Sequence, residues 1–313
     1  MNLPNSLAVV GWSLFAAGAL SAQTPQLQQQ LPPPAQSPAA TTAEETTLDP
    51  AALAPDELGE EILLARRPRP RWLRVSSETQ YAYTSNLLLL DGDNFPPSSG
   101  LTELEDSFLF QSFDVAITPP LSDQVTTTIY GRYDIIRYDR HSEFDFDANT
   151  AGLNVSLPVE DWFTVYADFS GVRQYLTDGP INEFFRMWDT RGGVWRSDQI
   201  CPHASIFYGY QFDWRAASPA ILSRVDNAVY AGLKSQFLKR CTAQLLYRLS
   251  VQESLEINRT DVNQLVSLAV HCAFTDRAVL TAFADYSHNN SDIATRDYEV
   301  FDLGGGLNLT VRF

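Results

Sequence analysis

The sequence is poor in lysine, cysteine and long apolar runs, and each shortage excludes a class of protein. Only two basic residues are lysines, and the net charge of −16 would repel nucleic-acid phosphates, so we expect no nucleic-acid partner. Three cysteines cannot all pair, so no disulfide framework supports the fold. A bundle of membrane helices is excluded because each helix needs about 20 apolar residues in a row, which only the N-terminus approaches.

Residues 1–22 have the organisation of a secretory signal peptide. Residues 7–20 form an apolar run that is short for a membrane span, and small residues follow at Ser21 and Ala22. No lysine or arginine precedes the run, so a buried N-terminal helix is the alternative. No cysteine follows it, so a lipoprotein anchor is not supported. The pattern predicts export from the cytoplasm.

Residues 23–70 are rich in proline, glutamine, alanine and threonine and almost free of aromatic residues. Such a segment buries too little apolar surface to offset its ordering entropy, which predicts a disordered periplasmic tether. Four arginines (66, 67, 69 and 71) stand at its end. They are either a solvated boundary or a contact with anionic lipid headgroups.

From Trp72 onward, apolar and polar residues alternate with a period of two, as in half-buried β-strands. Near the C-terminus, for example, Leu309 and Val311 fall on one face and Thr310 and Arg312 on the other. The alternation predicts twelve strands, each with its connection about 20 residues long. Their approximate ranges are 72–86, 107–118, 125–138, 148–157, 162–173, 184–196, 201–214, 223–237, 240–252, 262–274, 277–287 and 299–313.

The connections alternate between short and long. Short links follow the even-numbered strands, at 118–123, 157–161, 196–200, 237–240 and 274–277, and longer polar links such as 87–106 follow the odd-numbered ones. All short turns therefore lie at one end and all long loops at the other. This layout predicts an all-β fold over residues 71–313, a transmembrane antiparallel β-barrel of about 12 strands with short periplasmic turns and long extracellular loops.

Aromatic residues concentrate near both ends of the predicted strands, as in the two interfacial girdles of a membrane barrel. The alternative is ordinary strand propensity, since tyrosine and phenylalanine favour strands. The residues near the short turns are Trp162, Phe163, Phe237, Phe274 and Phe313, and those near the loops are Tyr81, Tyr83, Tyr138, Tyr175, Tyr210, Trp214 and Tyr286.

With its leader, its alternating segments and its terminal strand LNLTVRF, the chain resembles the porin-like outer-membrane β-barrel proteins of Gram-negative-type bacteria. The opening strand ETQYAYTSNLLLLDGD is similar to that of barrel porins of unknown substrate. The resemblance implies an integral outer-membrane protein surrounded by outer-membrane lipids. It also implies that the barrel-assembly machinery reads Leu307, Leu309, Val311 and Phe313.

The strand alternation turns charged residues of both signs toward the lumen. This favours a passive diffusion channel for small polar solutes. The alternatives are a structural or adhesion barrel with a closed lumen and partner-binding loops, and a secreted soluble β-sandwich. The predicted lumen-lining residues are Arg74, Glu78, Asp114, Arg132, Asp134, Asp168, Asp189, Arg191, Asp213, Arg224, Asp226, Lys234, Arg248, Arg277, Asp285, Asp302 and Arg312.

The long loops are acidic, which predicts a weak preference for cations, with simple loop solubility as the alternative. The acids are Asp91, Asp93, Glu103, Glu105 and Asp106 in the first loop and Glu143, Asp145 and Asp147 in the second.

We expect no enzyme, no cofactor and no metal. The nearest catalytic combination is Ser287 beside His288, but adjacent strand residues point to opposite faces, so the two are poorly placed to act together unless the loop bends. Residues 91–94 resemble the opening of a calcium loop, yet Phe95 stands where a ligand is needed.

Two of the three cysteines, Cys241 and Cys272, fall on the lipid face of neighbouring predicted strands. They either form a cross-strand disulfide or serve as small apolar residues, and we favour the second interpretation because disulfide geometry is demanding. Cys201 is predicted to face inward on the seventh strand.

Overall fold

The computed structural model describes residues 72–89, 105–122, 124–160, 162–177 and 183–313. The signal peptide, the tether and the arginine-rich segment expected within residues 1–71 lie outside these ranges, and so do Asp91, Asp93 and Glu103 of the first loop.

Twelve antiparallel strands form one closed barrel in which each strand pairs with its neighbours in the chain and the first pairs with the last. They are β1 (Leu73–Thr84), β2 (Asp106–Ile117), β3 (Thr126–Tyr138), β4 (Phe146–Val159), β5 (Phe163–Leu176), β6 (Glu183–Cys201), β7 (Ala204–Ser218), β8 (Arg224–Leu238), β9 (Cys241–Ser254), β10 (Thr260–Ala273), β11 (Ala278–Ser291) and β12 (Tyr298–Arg312). The predicted strand number, antiparallel order and all-β class are confirmed.

The seam between β1 and β12 closes the barrel. It runs in register from Arg74 opposite Arg312 to Thr84 opposite Asp302. At the end of the seam where β1 begins and β12 ends, the backbone N–H of Phe313 donates to the carbonyl of Leu73 over 2.9 Å. Closure leaves no unpaired strand edge. A sheet in a lipid bilayer needs this, because no water is present there to hydrogen-bond the backbone groups of an edge strand.

The outer surface of the barrel is apolar along the middle of its strands. Side chains such as Phe113, Leu268 and Leu303 are about half exposed there, although large apolar groups normally avoid water. Such a band on a closed antiparallel barrel is that of a transmembrane β-barrel. Among the described residues, no helix is long and apolar enough to span a membrane.

Four of the five connections at one end of the barrel span two to four residues, and those at the other end span five or more, as predicted. The β2–β3 connection (118–125) is an exception with eight residues, and one predicted turn is wrong. The segment 196–200 belongs to β6, where Arg196 pairs with Tyr208 and Asp198 with Ile206 of β7. The actual turn is Pro202 and His203. The prediction of a turn rests on the polar side chains of this segment. Polar residues can continue a strand when their charges are paired, as in the 2.7 Å contact between Arg196 and Asp198.

The aromatic residues expected near the short turns, including Trp162, Phe237 and Phe274, are exposed at that end. At the loop end Tyr81 and Tyr286 are exposed, but Tyr138 is not part of a girdle. Tyr138 lies on the inward face of β3, is buried and packs on Phe108 with ring centroids 5.5 Å apart. Alternation, rather than nearness to a loop, decides its direction.

Cys241 and Cys272 form a disulfide, so the favoured interpretation of two unpaired apolar residues is wrong. They are register partners on β9 and β10, with Cα atoms 4.2 Å apart. Cys201 is the last residue of β6 and is an exposed free thiol rather than an inward residue of β7.

We predict one reactive thiol per chain when the protein is unfolded without reductant, and three after reduction, because only Cys201 is free. Thiol titration in denaturant measures both numbers. Three thiols before reduction in periplasm-derived protein would contradict the pairing.

Candidate functional site in the barrel interior

The inward-facing side chains divide the barrel interior into two halves. Toward the loop end they are buried, as in Thr84 of β1 and Asp226 of β8. Toward the short-turn end they are partly open to water. We call this open half the vestibule, and among its lining residues are Glu78, Asp114, Asn154, Lys234 and Asn308.

Leucines from the β1–β2 connection close one side of the loop-end half. Leu87 and Leu88 are only 1% and 0% exposed. The chain before them is tied to β12 because Ser85 N–H donates to the Phe301 carbonyl over 2.9 Å and the Asn86 amide donates to the Glu299 carbonyl over 3.1 Å. These leucines and the side chains packed with them form what we call the apolar plug: Ala82, Leu87, Leu88, Phe108, Phe110, Ile136, Tyr138, Phe144, Phe146, Ala148, Ala269 and Phe283.

The other side of the same half is occupied by what we call the ionic network. Its members are Asp168, Asp189, Arg191, Asp213, Arg215, Arg224, Asp226 and Arg248, from five consecutive strands. Arg191 contacts Asp189 over 2.8 Å and Asp213 over 3.0 Å. Arg215 reaches three acids, the nearest being Asp213 at 3.2 Å.

The spacing of these residues explains why their charges meet. On β6, β7 and β8 an acid and an arginine stand two residues apart and therefore share the inward face. The register then places Arg191 between Asp168 of β5 and Asp213 of β7. The four acids and four arginines balance, as a buried group of charges requires.

Smaller charge groups lie elsewhere on the inward face. Arg74 contacts Asp114 over 3.0 Å near the short-turn end, and Arg132 contacts Asp134 over 2.9 Å. Asp285 and Asp302 are register partners on β11 and β12 and are both buried.

The remaining predicted lumen residues lie nearer the short-turn end. Glu78 accepts a hydrogen bond from the Gln80 amide and Lys234 is half-buried. Arg312 is exposed at the last position of β12. The prediction that Arg277 lines the lumen is wrong, because Arg277 lies in the β10–β11 turn and is exposed.

Three inward charges were missed because the predicted strands were too short at one end. Arg215 follows the predicted end of β7, and Asp106 and Asp261 precede the predicted starts of β2 and β10. Extending the alternation by one position would have found them. Asp261 contacts Arg259 over 3.0 Å, and Asp106 accepts a hydrogen bond from the His141 backbone over 3.0 Å.

Aromatic rings cover inward-facing glycines on neighbouring strands. A Cβ atom added at Gly152 would lie 2.4 Å from the Tyr130 ring, and one added at Gly193 would lie 2.8 Å from the Tyr166 hydroxyl. Tyr166 also donates to the Gln211 side chain over 3.1 Å. The glycines are therefore needed for rings to lie against the wall between the vestibule and the ionic network.

The residues considered for catalysis are held apart. Ser287 faces inward and accepts a hydrogen bond from the Asn263 amide over 3.0 Å, whereas the His288 ring nitrogen lies 3.4 Å from Glu299. Within the described ranges, no group of three or more His, Cys, Asp or Glu side chains has the arrangement of a metal site.

We predict that Asp213→Ala lowers the free energy of unfolding by about 3–5 kcal/mol, because it leaves buried arginines without their shared carboxylate. The control is Asp198→Ala, which removes an exposed ion pair and should change stability little. Urea unfolding of the barrel in lipid vesicles, followed by tryptophan fluorescence, measures both. Equal effects would contradict the network's role.

No family model and no curated protein matches the chain. Similar solved structures include an outer membrane channel from Pseudomonas putida F1, 9% identical, which covers 77% of this chain and 95% of its own with a TM-score of 0.49. The anion-selective porin from Comamonas acidovorans is 8% identical, with coverages of 76% and 98% and a TM-score of 0.40. The KdgM porin in complex with disordered oligogalacturonate is also 8% identical, with coverages of 75% and 98% and a TM-score of 0.40. By its own strand pairing and its apolar outer surface, the chain is a twelve-stranded transmembrane β-barrel.

Proposed function

We propose that the chain is an integral outer-membrane protein that works as a passive diffusion channel for small polar solutes. Its short turns face the periplasm and its long loops face the exterior. Export by a signal peptide and insertion by the barrel-assembly machinery belong to the proposal. Insertion by this machinery is supported by Leu307 and Leu309 of β12 and by Phe313, which follows the strand, because they are exposed apolar groups.

The observation that carries the channel is the polar lining of the interior. A barrel filled only for stability gains more from apolar packing, because buried ion pairs rarely repay their desolvation cost. Here charges of both signs lie on the inward face at two levels, as on β8, where Lys234 is in the vestibule and Asp226 and Arg224 are in the ionic network, with Tyr230 and Ala228 between them. Such a lining suits water and small polar solutes.

The side chains that fill the loop-end half of the interior determine how readily this channel conducts. The apolar plug and the ionic network occupy the loop-end half, so solutes pass only when these side chains move. We therefore expect small, intermittent conductance rather than a wide open pore.

The same filled half favours a second candidate, a structural or adhesion barrel with a closed lumen whose loops bind partners. The two candidates differ in one measurable property, since only the channel conducts ions in a planar bilayer.

We predict that Leu87→Ser together with Leu88→Ser raises the unit conductance about twofold or more, because polar side chains loosen the apolar plug. Single-channel recording in a planar bilayer measures it. The matched control is Leu255→Ser, an exposed leucine at the same end, which should conduct like the unmodified protein. Correctly folded protein that stays silent both with and without the plug substitutions would overturn the channel and favour the closed barrel.

We also propose the weak cation preference, which rests on exposed loop acids. Glu143 is exposed, whereas Asp145 accepts a hydrogen bond from the Tyr138 backbone over 2.7 Å and Asp147 contacts Arg137 over 2.7 Å. The ionic network adds little selectivity because its charges balance.

In a KCl gradient, the reversal potential should give a potassium-to-chloride permeability ratio modestly above one, reduced by Glu143→Gln and by higher salt. A ratio at or below one would remove the cation preference and leave the channel itself standing.

A further inference from the structure

Two arginines lie side by side on the outward face of the barrel, near the long loops. Arg173 of β5 and Arg186 of β6 are register partners, and their side chains are 56% and 49% exposed. Like charges directly opposite each other on one sheet face destabilise the pairing of the strands. Something of opposite charge is therefore needed between them.

The protein supplies only part of that charge. Within the described ranges, the acid near both arginines is Glu183, whose carboxylate lies 3.9 Å from Arg173 and 3.8 Å from Arg186. One carboxylate offsets one of the two positive charges. Each guanidinium carries five N–H donors, so most donors still face outward.

The other outward arginines on the strands are matched one to one. Arg137 contacts Asp147 and Arg196 contacts Asp198, each over 2.7 Å. The excess positive charge at Arg173 and Arg186 is therefore specific to this position on the outer surface.

The level of the pair along the barrel is marked by aromatic side chains. Phe169 and Trp188 stack on the outward face with ring centroids 5.7 Å apart and planes 13° from parallel. On both strands the arginine lies on the loop side of this stack. Because tryptophan marks the boundary between the hydrocarbon core and the headgroups, the arginines lie at headgroup level.

We propose that Arg173 and Arg186 bind a phosphate group of a phosphorylated glycolipid in the outer leaflet. Guanidinium groups bind phosphate oxygens through paired hydrogen bonds, and two of them facing one anion cancel their mutual repulsion. The apolar band beneath, including Phe169 and Trp188, would receive the acyl chains of the same lipid. The site rests on the proposed orientation, with the long loops outside, and not on conduction.

The test is native mass spectrometry of the detergent-solubilised barrel with diphosphorylated lipid A and with the same lipid after removal of its phosphates. We expect one diphosphorylated molecule to be retained, with about tenfold weaker binding of the dephosphorylated lipid. Arg173→Gln with Arg186→Gln should weaken binding of the diphosphorylated lipid about tenfold, whereas Arg173→Lys with Arg186→Lys should keep part of it.

The matched control is Arg196→Gln, an outward arginine at the opposite end of the barrel, which should bind the lipid as the unmodified protein does. Heat-dependent gel migration checks the folding of each variant. Equal binding by the glutamine variant, or equal binding of the dephosphorylated lipid, would overturn the site. Displacement of the lipid by millimolar inorganic phosphate would also overturn it, because it would indicate a site for a free anion. The assay needs no ion flow, so a non-conducting barrel would reject the channel and leave this site intact.

Discussion

Pairing of β1 with β12 is the constraint on which the rest of the structure depends. Once Val75 lies opposite Val311 and Thr84 opposite Asp302, all twelve strands have two partners and the barrel has no free edge. Closure also gives every strand one inward and one outward face. Two residues adjacent in the sequence can therefore be a charged residue facing the interior and an apolar residue facing the lipid. The polar interior and the apolar exterior are consequences of this closure.

On one side of the barrel interior, charge pairing takes the place of the apolar packing of a soluble core. Arg191, Arg215 and Asp213 are buried deeply enough that each alone would be costly, and together they satisfy one another. The ionic network and the apolar plug fill opposite sides of the same half, which leaves the vestibule as the part of the interior that water enters. On the outer surface of the described strands, arginines are also paired with acids, with one exception. Arg173 and Arg186 are two outward arginines that, among the described residues, share one acid, Glu183.

Much of this fold follows from the sequence because a strand's direction needs only a period of two. Alternation predicted the twelve strands and placed residues such as Asp213 and Asp226 on the face where the structure has them. It failed where local polarity was taken for a strand end, as at Arg215 and at residues 196–200. The inward fold of Leu87 and Leu88 could not be predicted by periodicity, because a loop has none, although a run of leucines in a polar loop was a visible sign. The contact between Arg248 of β9 and Asp213 of β7 joins strands that are not neighbours, so it depends on register and curvature, which sequence spacing alone does not determine.

The division of the interior into a water-filled and a side-chain-filled half is measured most directly by cysteine accessibility. Lys234→Cys, in the vestibule, and Ser250→Cys, beside the ionic network, are compared in a Cys201→Ser background with a membrane-impermeant maleimide added to the folded barrel. The structure predicts rapid labelling at position 234 and labelling at least a hundredfold slower at position 250, where the native serine is 1% exposed. Equal labelling rates at the two positions would show a lumen open along its whole length and would contradict the filled loop-end half.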